Sequence, residues 1–323
     1  MKKKSFILSA ILLLAVSMVL AACGGGSDKG EGGEVDFITI ATGGTGGTYF
    51  PLGGSFADII QDATSLDASA ETSGASAENM ATLKDGKIEV AFTQTDIASY
   101  AAEGEQMFSD NKVETARGIA TLYPETIQIV TTKASGIKTV EDLKGKVVSV
   151  GEAGSGTRLN AEQILEVHGM TFDDLTVRDL SFNDSTTGIQ DGTIDAAFIT
   201  SGTPTGSVEG LAATQDISIV SIADDKIEEI VGKYPYYAKD EIAGGTYSKV
   251  DDAVTTVAVR AMLVTREDLP EDVVYDITKA IFENTDKITH AKGKIISAET
   301  ALEGMGIELH PGAKKYFDEM GIQ

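Results

Sequence analysis

The chain states one pattern twice. Ile38-Thr39-Ile40-Ala41 leading into Thr42-Gly43-Gly44-Thr45-Gly46-Gly47-Thr48 is echoed by Val147-Val148-Ser149-Val150 leading into Gly151-Glu152-Ala153-Gly154-Ser155-Gly156-Thr157. Asp85-Gly86-Lys87-Ile88-Glu89-Val90-Ala91-Phe92 is echoed by Asp191-Gly192-Thr193-Ile194-Asp195-Ala196-Ala197-Phe198. Thr48 to Thr157 is an offset of 109 residues, and Phe92 to Phe198 one of 106. Two motifs recurring at nearly one spacing mark a duplicated unit the size of a domain. Each copy reads strand, Gly-rich turn, helix, later strand. Such a chain folds into two α/β halves with glycine turns at strand ends, an arrangement that holds a ligand between them.

The first residues read as an address. Lys2, Lys3 and Lys4 precede a short apolar run from Phe6 to Val19, and Leu20-Ala21-Ala22-Cys23 is a lipobox. The run is too short for a membrane span. Residues 1–22 are expected to be a lipoprotein signal peptide, with Cys23, the one cysteine of the chain, as the lipidated N-terminus that anchors the protein to the membrane. Residues 23–34, rich in Gly, Ser and acid, read as a flexible tether. With Cys23 acylated no disulfide can form, so stability rests on the core of about 300 residues, enough for two domains. The chain carries 26 basic and 50 acidic residues, and loss of the three leader lysines leaves 23 against 50, a net charge of −27. That balance argues against nucleic acid and against adhesion to anionic lipid. The lack of tryptophan argues against stacking platforms for carbohydrate.

Hydrophobic spacing predicts a strand over 37–41, a helix over about 51–62, a strand over 69–72, a helix closed by Asp85-Gly86, and a strand over 90–93. Two apolar runs flank Tyr123-Pro124-Glu125 between Gly118 and Thr132, where the chain is expected to cross into the second half. There follow a short helix over 140–144, strand 147–150, a helix over about 159–168 stopped by Gly169, a strand within 174–182, and strands over 196–200 and 217–222. A β-rich run over 255–264 returns the chain to the first half. Pro270 opens a helix to Asn284, and the tail to Gln323 is expected to be helical. The expected organisation is lobe 1 from residues 35–128 and 265–323, and lobe 2 from 129–264.

The two Gly-Thr loops are the main candidates for chemistry. Glycine lets the backbone approach a ligand closely. Each loop opens a helix, whose free N–H groups and positive dipole end favour a carboxylate or phosphate. Thr48 and Thr157 hold equivalent places and add hydroxyls. The nucleotide motifs fail: Tyr49 stands where a dinucleotide fingerprint needs its third glycine, and Thr157 where a P-loop needs lysine. His168, His290 and His310 share no local motif at metal spacing. Ser155 lacks the residue spacing of a nucleophile elbow. No catalytic residue, metal or cofactor is expected. Further candidates stand at strand ends. Ser73 and Asn79 open a helix, or merely cap it. Gln94 follows the third strand, or merely turns the chain. Ser201 and Gly202 hold the matching region of the second half. Tyr49 either covers an apolar stem of the ligand or packs in the core. Arg158 is the basic residue nearest a Gly loop and either meets a ligand carboxylate or lies solvated on its helix; Arg178 is its rival.

Four segments together resemble the TAXI family, the substrate receptors of tripartite ATP-independent periplasmic (TRAP) transporters: Thr42–Gly54; Gly154-Ser155-Gly156-Thr157-Arg158-Leu159-Asn160-Ala161; Asp195-Ala196-Ala197-Phe198 with Ser201-Gly202-Thr203-Pro204; and Leu309-His310-Pro311-Gly312-Ala313. Phe50 departs from the second tyrosine often found there. The resemblance implies an α/β, two-lobed type II periplasmic-binding-protein-like fold with the ligand cleft between lobes. It also implies a small anionic or zwitterionic solute, glutamate, glutamine or a related dicarboxylate. Carried onto this chain, the contacts come from Gly47, Thr48 and Tyr49, Ser73 and Gly74, Gln94, Ser155, Gly156 and Thr157, and Ser201 and Gly202. The resemblance further implies delivery to a TRAP membrane permease driven by an ion gradient. The rival readings are a receptor of an ATP-driven importer, an exported enzyme using the same cleft, and a sensor or adhesion lipoprotein.

Overall fold

The computed structural model describes residues 35–323, which form one compact unit. The expected signal peptide, the lipidation site Cys23 and the tether lie outside the described residues. The elements run β1 (Phe37–Ala41), α1 (Tyr49–Ala63), β2 (Asp67–Glu71), α2 (Ser76–Lys84), β3 (Val90–Gln94), α3 (Thr95–Glu103), β4 (Ala116–Thr132), β5 (Val147–Ser149), α4 (Gly156–Val167) and β6 (Thr176–Arg178). They continue α5 (Phe182–Asp191), β7 (Ala196–Ser201), α6 (Gly206–Thr214), β8 (Ile217–Val220), α7 (Asp224–Lys233), β9 (Ala238–Ile242), β10 (Val254–Arg266), α8 (Glu271–Glu283) and α9 (Pro311–Glu319).

One sheet runs through the whole in the order β2-β1-β3-β10-β4-β7-β5-β6, with β8 added to β4 and β9 to β10. Strands β1, β2 and β3 are parallel, as are β5, β6 and β7. Strand β10 pairs antiparallel with β3 and with β4, and β4 pairs antiparallel with β7. The two parallel sets therefore point in opposite senses, and both aim their C-terminal ends at the middle of β4 and β10. Gln94, the last residue of β3, pairs with Ala261; Ser201, the last of β7, pairs with Thr126. This is the mixed α/β type II periplasmic-binding-protein-like fold.

The core changes sides along the two long strands. On β4, Ile119 to Tyr123 pack with α1, α8 and α9, whereas Ile127 and Ile129 pack with α4 and α7. On β10 the change falls between Val259 and Ala261. The crossings expected at 128/129 and 264/265 fall within these strands. The changeover coincides with a register shift next to Arg260, which pairs with Pro124. Proline has no N–H to give a ladder, and a bulge is where a strand tolerates it. Residues 116–132 thus form one strand through Pro124, where the sequence suggested two.

The repeated Asp-Gly motif does one job twice. Gly86 and Gly192 end α2 and α5 in the left-handed region, at φ 69° and 73°. Three residues on, the acid ties down the start of the neighbouring strand: Glu89 Oε2 accepts the Thr39 N–H at 2.9 Å, and Asp195 Oδ2 accepts the Val147 N–H at 2.8 Å. A Cβ added at Gly192 meets nothing within 4 Å, and at Gly86 only the Arg266 Nη1 at 3.8 Å. Substitution there costs backbone strain alone. Gly86→Ala and Gly192→Ala are each expected to lower the unfolding free energy by about 1–2 kcal/mol. Urea melts of the two variants check this, and a loss near zero in either removes the shared role.

Elsewhere the structure moves some expected boundaries. Helix α1 begins at Tyr49, two residues before Pro51, and α4 begins at Gly156 rather than Leu159. The segment 174–182 holds only the three-residue β6, because the Ser181 hydroxyl accepts the Asp184 N–H and starts α5 at Phe182. The tail is helical only in short 3₁₀ turns until α9, which the His310 ring caps by accepting the Gly312 N–H.

Candidate functional site

Because both sets of strand ends converge over the middle of β4, the loops that follow them meet face to face. The first half brings Gly43, Gly44, Gly47, Thr48 and Tyr49 after β1, Ala75 and Ser76 at the start of α2, and Gln94. The second half brings Glu152 and Ser155 to Thr157 after β5, Phe182 at the start of α5, and Thr200 and Ser201 of β7; Glu125 of β4 also lines the pocket. Together they enclose a pocket of about 40 Å³. It is narrow, since one water needs roughly 10–15 Å³.

Polar contacts close the two halves over it. Thr48 donates its N–H to Ser201 Oγ at 3.2 Å, and the two hydroxyls lie 3.0 Å apart. The N–H groups of Ala77 and Glu78 both donate to the Gly154 carbonyl at 3.0 Å, and Ser207 N–H donates to the Gly46 carbonyl at 3.2 Å. Gln94 Nε2 donates to Asn160 Oδ1 at 3.2 Å, and Asn160 Nδ2 in turn donates to Asp96 Oδ2 at 3.1 Å and to the Tyr237 oxygen at 2.9 Å. Each closing bond is a single neutral contact or close to it, a modest sum that a hinge can break.

Helices α1, α2 and α4 each present their first turn to the pocket. Among the described residues, the backbone N–H groups of Tyr49, Ser76, Gly156 and Thr157 donate to no acceptor. Orphan donors at helix starts carry the positive end of the helix dipole, and several of them converging make an anion site. Ala75 enters α2 at φ 72°, a conformation costly for any residue with a Cβ and one that turns α2 toward the pocket. No Lys or Arg is among the lining residues.

Two carboxyl groups line the same space. Glu125 is buried, with the Tyr49 hydroxyl donating to its Oε2 at 2.8 Å and the Tyr123 hydroxyl to its Oε1 at 3.4 Å. Burial pushes its pKa up to about 8 against the pull of those hydroxyls and of the Gln94 amide. Glu152 is raised by burial and by the nearby charges of Glu78 and Asp184. Behind Gln94, buried Asp96 is pushed up to about 7 by desolvation. Two acceptor-bearing side chains stand open in the lining: Gln94 Oε1 and Thr200 Oγ1 are buried and have no hydrogen-bond partner among the described residues.

The structure brings Gly47, Thr48, Tyr49, Gln94, Ser155, Gly156, Thr157 and Ser201 to the pocket wall. Ser73, Gly74 and Gly202 stand behind it. Ser73 Oγ donates to the Thr42 carbonyl and accepts the Ala75 N–H, shaping the turn into α2, and Gly74 lies against Glu78. The Gly202 carbonyl accepts from Thr48 Oγ1 at 3.4 Å. Asn79 braces the wall, its Nδ2 donating to the carbonyls of Thr42 and Phe92. Arg158 is not in the wall: its Nε pairs with Asp179 at 2.9 Å and its guanidinium lies over the Phe172 ring, because the third residue of α4 points away from the face that Gly156 and Thr157 present. Arg178 is exposed and donates to the Val177 carbonyl of its own strand. Tyr49 lines the pocket while its ring packs, tilted, against Phe92 with centroids 5.0 Å apart. Sequence reasoning missed Ser76, Glu125, Glu152, Phe182 and Thr200. Only Glu125 left a signal, as the one carboxyl of the long strand β4.

Comparison with known proteins gives the same architecture. A solved protein from Bordetella bronchiseptica RB50 superposes with a TM-score of 0.55 at 20% identity, over 88% of this chain and 81% of that one. The alkanesulfonate-binding protein SsuA from Xanthomonas axonopodis pv. citri, bound to MOPS, gives 0.49 at 12% identity, over 89% and 85%. A putative L-cystine ABC transporter from Listeria monocytogenes gives 0.49 at 14%, over 83% and 98%. At 20% identity the first of these speaks of fold and not of ligand. The NMT1-like family matches residues 40–321, nearly the whole of the described chain, and the chain belongs to that family.

Proposed function

We propose that this chain is an extracytoplasmic solute receptor, anchored through Cys23, that captures a small carboxylate-bearing solute and delivers it to a TRAP permease. The observation that carries the reading is the set of unclaimed N–H groups of Tyr49, Ser76, Gly156 and Thr157, contributed by both halves to one pocket. A carboxylate there gains hydrogen bonds from α1, α2 and α4 only when the halves are together. Solute then favours the closed arrangement because only that arrangement contacts it from both sides. The changeover segments of β4 and β10 serve as the hinge. The reading assigns the chain no catalytic step. The Gly-Thr loops and the Leu309–Ala313 segment support placing it with the TAXI receptors inside its family.

The test is a thermal-shift screen of the full chain against amino acids, dicarboxylates and 2-oxo acids. A solute at 100 times its Kd stabilises the native state by about 2.7 kcal/mol, a rise in Tm of several degrees for a chain of this size. A flat response to every carboxylate counts against the reading. Delivery is checked in proteoliposomes with the permease: uptake that follows an imposed ion gradient without ATP supports TRAP coupling, and a requirement for ATP removes it.

A further inference from the structure

Resting on the receptor reading, we infer that Asp96 is a positioning residue: its protonated carboxyl takes the Asn160 amide at the closing surface and so holds Gln94 in the pocket wall, and the two halves close with uptake of a proton. Three observations converge. First, the face of α4 that meets the first half carries a buried polar row. Gly156 and Thr157 reach the pocket, and Asn160 and Gln163 follow on the same face, both buried. Asn160 joins the halves in both directions. It accepts from Gln94 Nε2 at 3.2 Å, and it donates to Asp96 Oδ2 at 3.1 Å and to the Tyr237 oxygen at 2.9 Å. The Tyr237 hydroxyl donates to Gln163 Oε1 at 2.6 Å, and Gln163 Nε2 donates to the Tyr100 oxygen at 3.4 Å. Gln94, Asp96 and Tyr100 come from β3 and α3 of the first half; Asn160, Gln163 and Tyr237 come from the second.

Second, the closed arrangement has no place for a charge on Asp96. The residue is fully buried, and among the described residues its Oδ1 has no hydrogen-bond partner and no cation stands beside it. The titratable groups facing it are Tyr100 one turn along α3, Tyr237 from the segment between α7 and β9, and Glu125 from β4. None is basic, and α4 presents it with Asn160, a neutral amide. An unpaired carboxylate in such surroundings is costly, and a proton removes that cost.

Third, the second half supplies the cover. Leu159 of α4 packs in the first half's cluster with Met80, Ile97 and Ala98, and Tyr236 meets Tyr100 edge-on with ring centroids 5.4 Å apart. Separation of the halves lifts α4 and the Tyr236-Tyr237 segment from the start of α3 and returns the carboxyl to water. In the closed arrangement desolvation raises it from its ordinary 3.8 to about 7, against the pull of the Asn160 amide and of the N–H groups of Ile97 and Asp96 itself. The closed form therefore holds the proton more tightly than the open one. Its advantage is full below about pH 4, shrinks as pH rises, and is gone above about pH 7, where both forms are ionised. A solute that favours the closed arrangement then binds most tightly in acid.

The experiment is titration calorimetry of the full chain from about pH 5.5 to about pH 8, in buffers of different ionisation heat. Its probes are the protein amino acids whose charge is constant over that range, L-glutamate and L-glutamine among them, and their 2-oxo acid counterparts. Glu125, also raised by burial, adds an uptake of its own, so Glu125→Gln is the background in which Asp96 is read. There the bound probe is expected to take up about one proton at about pH 6 and to weaken by about 30-fold over the range, nearly all of it below about pH 7. Asp96→Asn keeps an oxygen for the Asn160 amide and carries no charge. It is expected to remove about one proton of uptake and to bind at about pH 8 at least about tenfold more tightly than the parent. A merely structural role for Asp96 would move affinity alike at every pH. No proton uptake at about pH 6 in Glu125→Gln, or the full pH slope in a folded Asp96→Asn, overturns the inference and leaves the receptor reading standing. Should Asp96→Asn fail to fold, the uptake in Glu125→Gln decides; should Glu125→Gln fail to bind, the parent and Asp96→Asn are compared directly. No binding by any probe overturns both.

Discussion

Gly156→Ala is expected to abolish tight solute binding while leaving the chain folded. A Cβ at this position would overlap Gln94 Oε1 and come within 2.5 Å of its Cδ and 3.1 Å of its Nε2. Gly156 belongs to the second half and Gln94 to the first, so the overlap lies across the closing surface. Gln94 has little room to yield, because its amide is held by Asn160, which is itself held by Asp96 and Tyr237. Either the halves stay apart or Gln94 leaves the pocket, and each outcome removes contacts the solute needs. The fold does not share the loss: Gly156 is the first residue of α4, where alanine favours the helix by up to about 1 kcal/mol over glycine. Affinity should fall by about 100-fold or more, the effect of two or more lost charge-assisted hydrogen bonds. The unliganded urea midpoint should stay within about 1 kcal/mol of the parent. Gly54→Ala is the control. A Cβ on Gly54, inside α1, meets nothing within 4 Å, so binding should be unchanged. Calorimetry on the two variants separates the cases, and unimpaired binding by Gly156→Ala would remove the closure argument.

That the sequence exposes Gly156 and conceals Glu125 follows from how each acts. Gly156 works through backbone geometry, and the duplicated strand-turn-helix unit advertises it: both Gly-Thr loops reach the pocket, and both Asp-Gly motifs cap a helix and tie a strand. Glu125 works through tertiary placement. Its neighbours Tyr49 and Gln94 lie 76 and 31 positions away in the chain, and no local spacing records that they meet. Helix α3 was hidden for a related reason. Gln94 ends β3 and Thr95 begins the helix with no glycine or proline between, so the step resembles a plain turn. Arg158 is the converse case: the sequence left both a ligand partner and a solvated helix residue open, because nearness to the Gly loop says nothing of direction. Its place at the third position of α4 carries it round the helix to Asp179, and the proposed anion site is left to backbone N–H groups that no side-chain inventory can display.

Phe92→Ala is expected to damage both stability and binding, and its duplicated counterpart separates the two. Phe92 is fully buried in β3, 5.0 Å from the Tyr49 ring and stacked at 5.6 Å on Phe56. Truncation removes the ring on which both others rest and leaves a cavity beside the closely packed Gly53. The cost is about 3–5 kcal/mol, or a fall in Tm of roughly 5–8 °C for a chain of this length. Tyr49 then loses the surface that fixes its ring, and with it the hydroxyl that donates to Glu125 at 2.8 Å. Solute affinity should drop by about 10-fold, the effect of one hydrogen bond lost from the pocket wall. Phe198 occupies the equivalent place in β7, equally buried but packed in the second half's core and absent from the pocket wall. Phe198→Ala should therefore lose a similar 3–5 kcal/mol in urea melts while its affinity, measured well below the melting temperature, stays within about threefold. Were Phe198→Ala to weaken binding as much as Phe92→Ala, general loosening of the fold would account for both, and the support of Glu125 by Tyr49 and Phe92 would no longer be needed to explain the site.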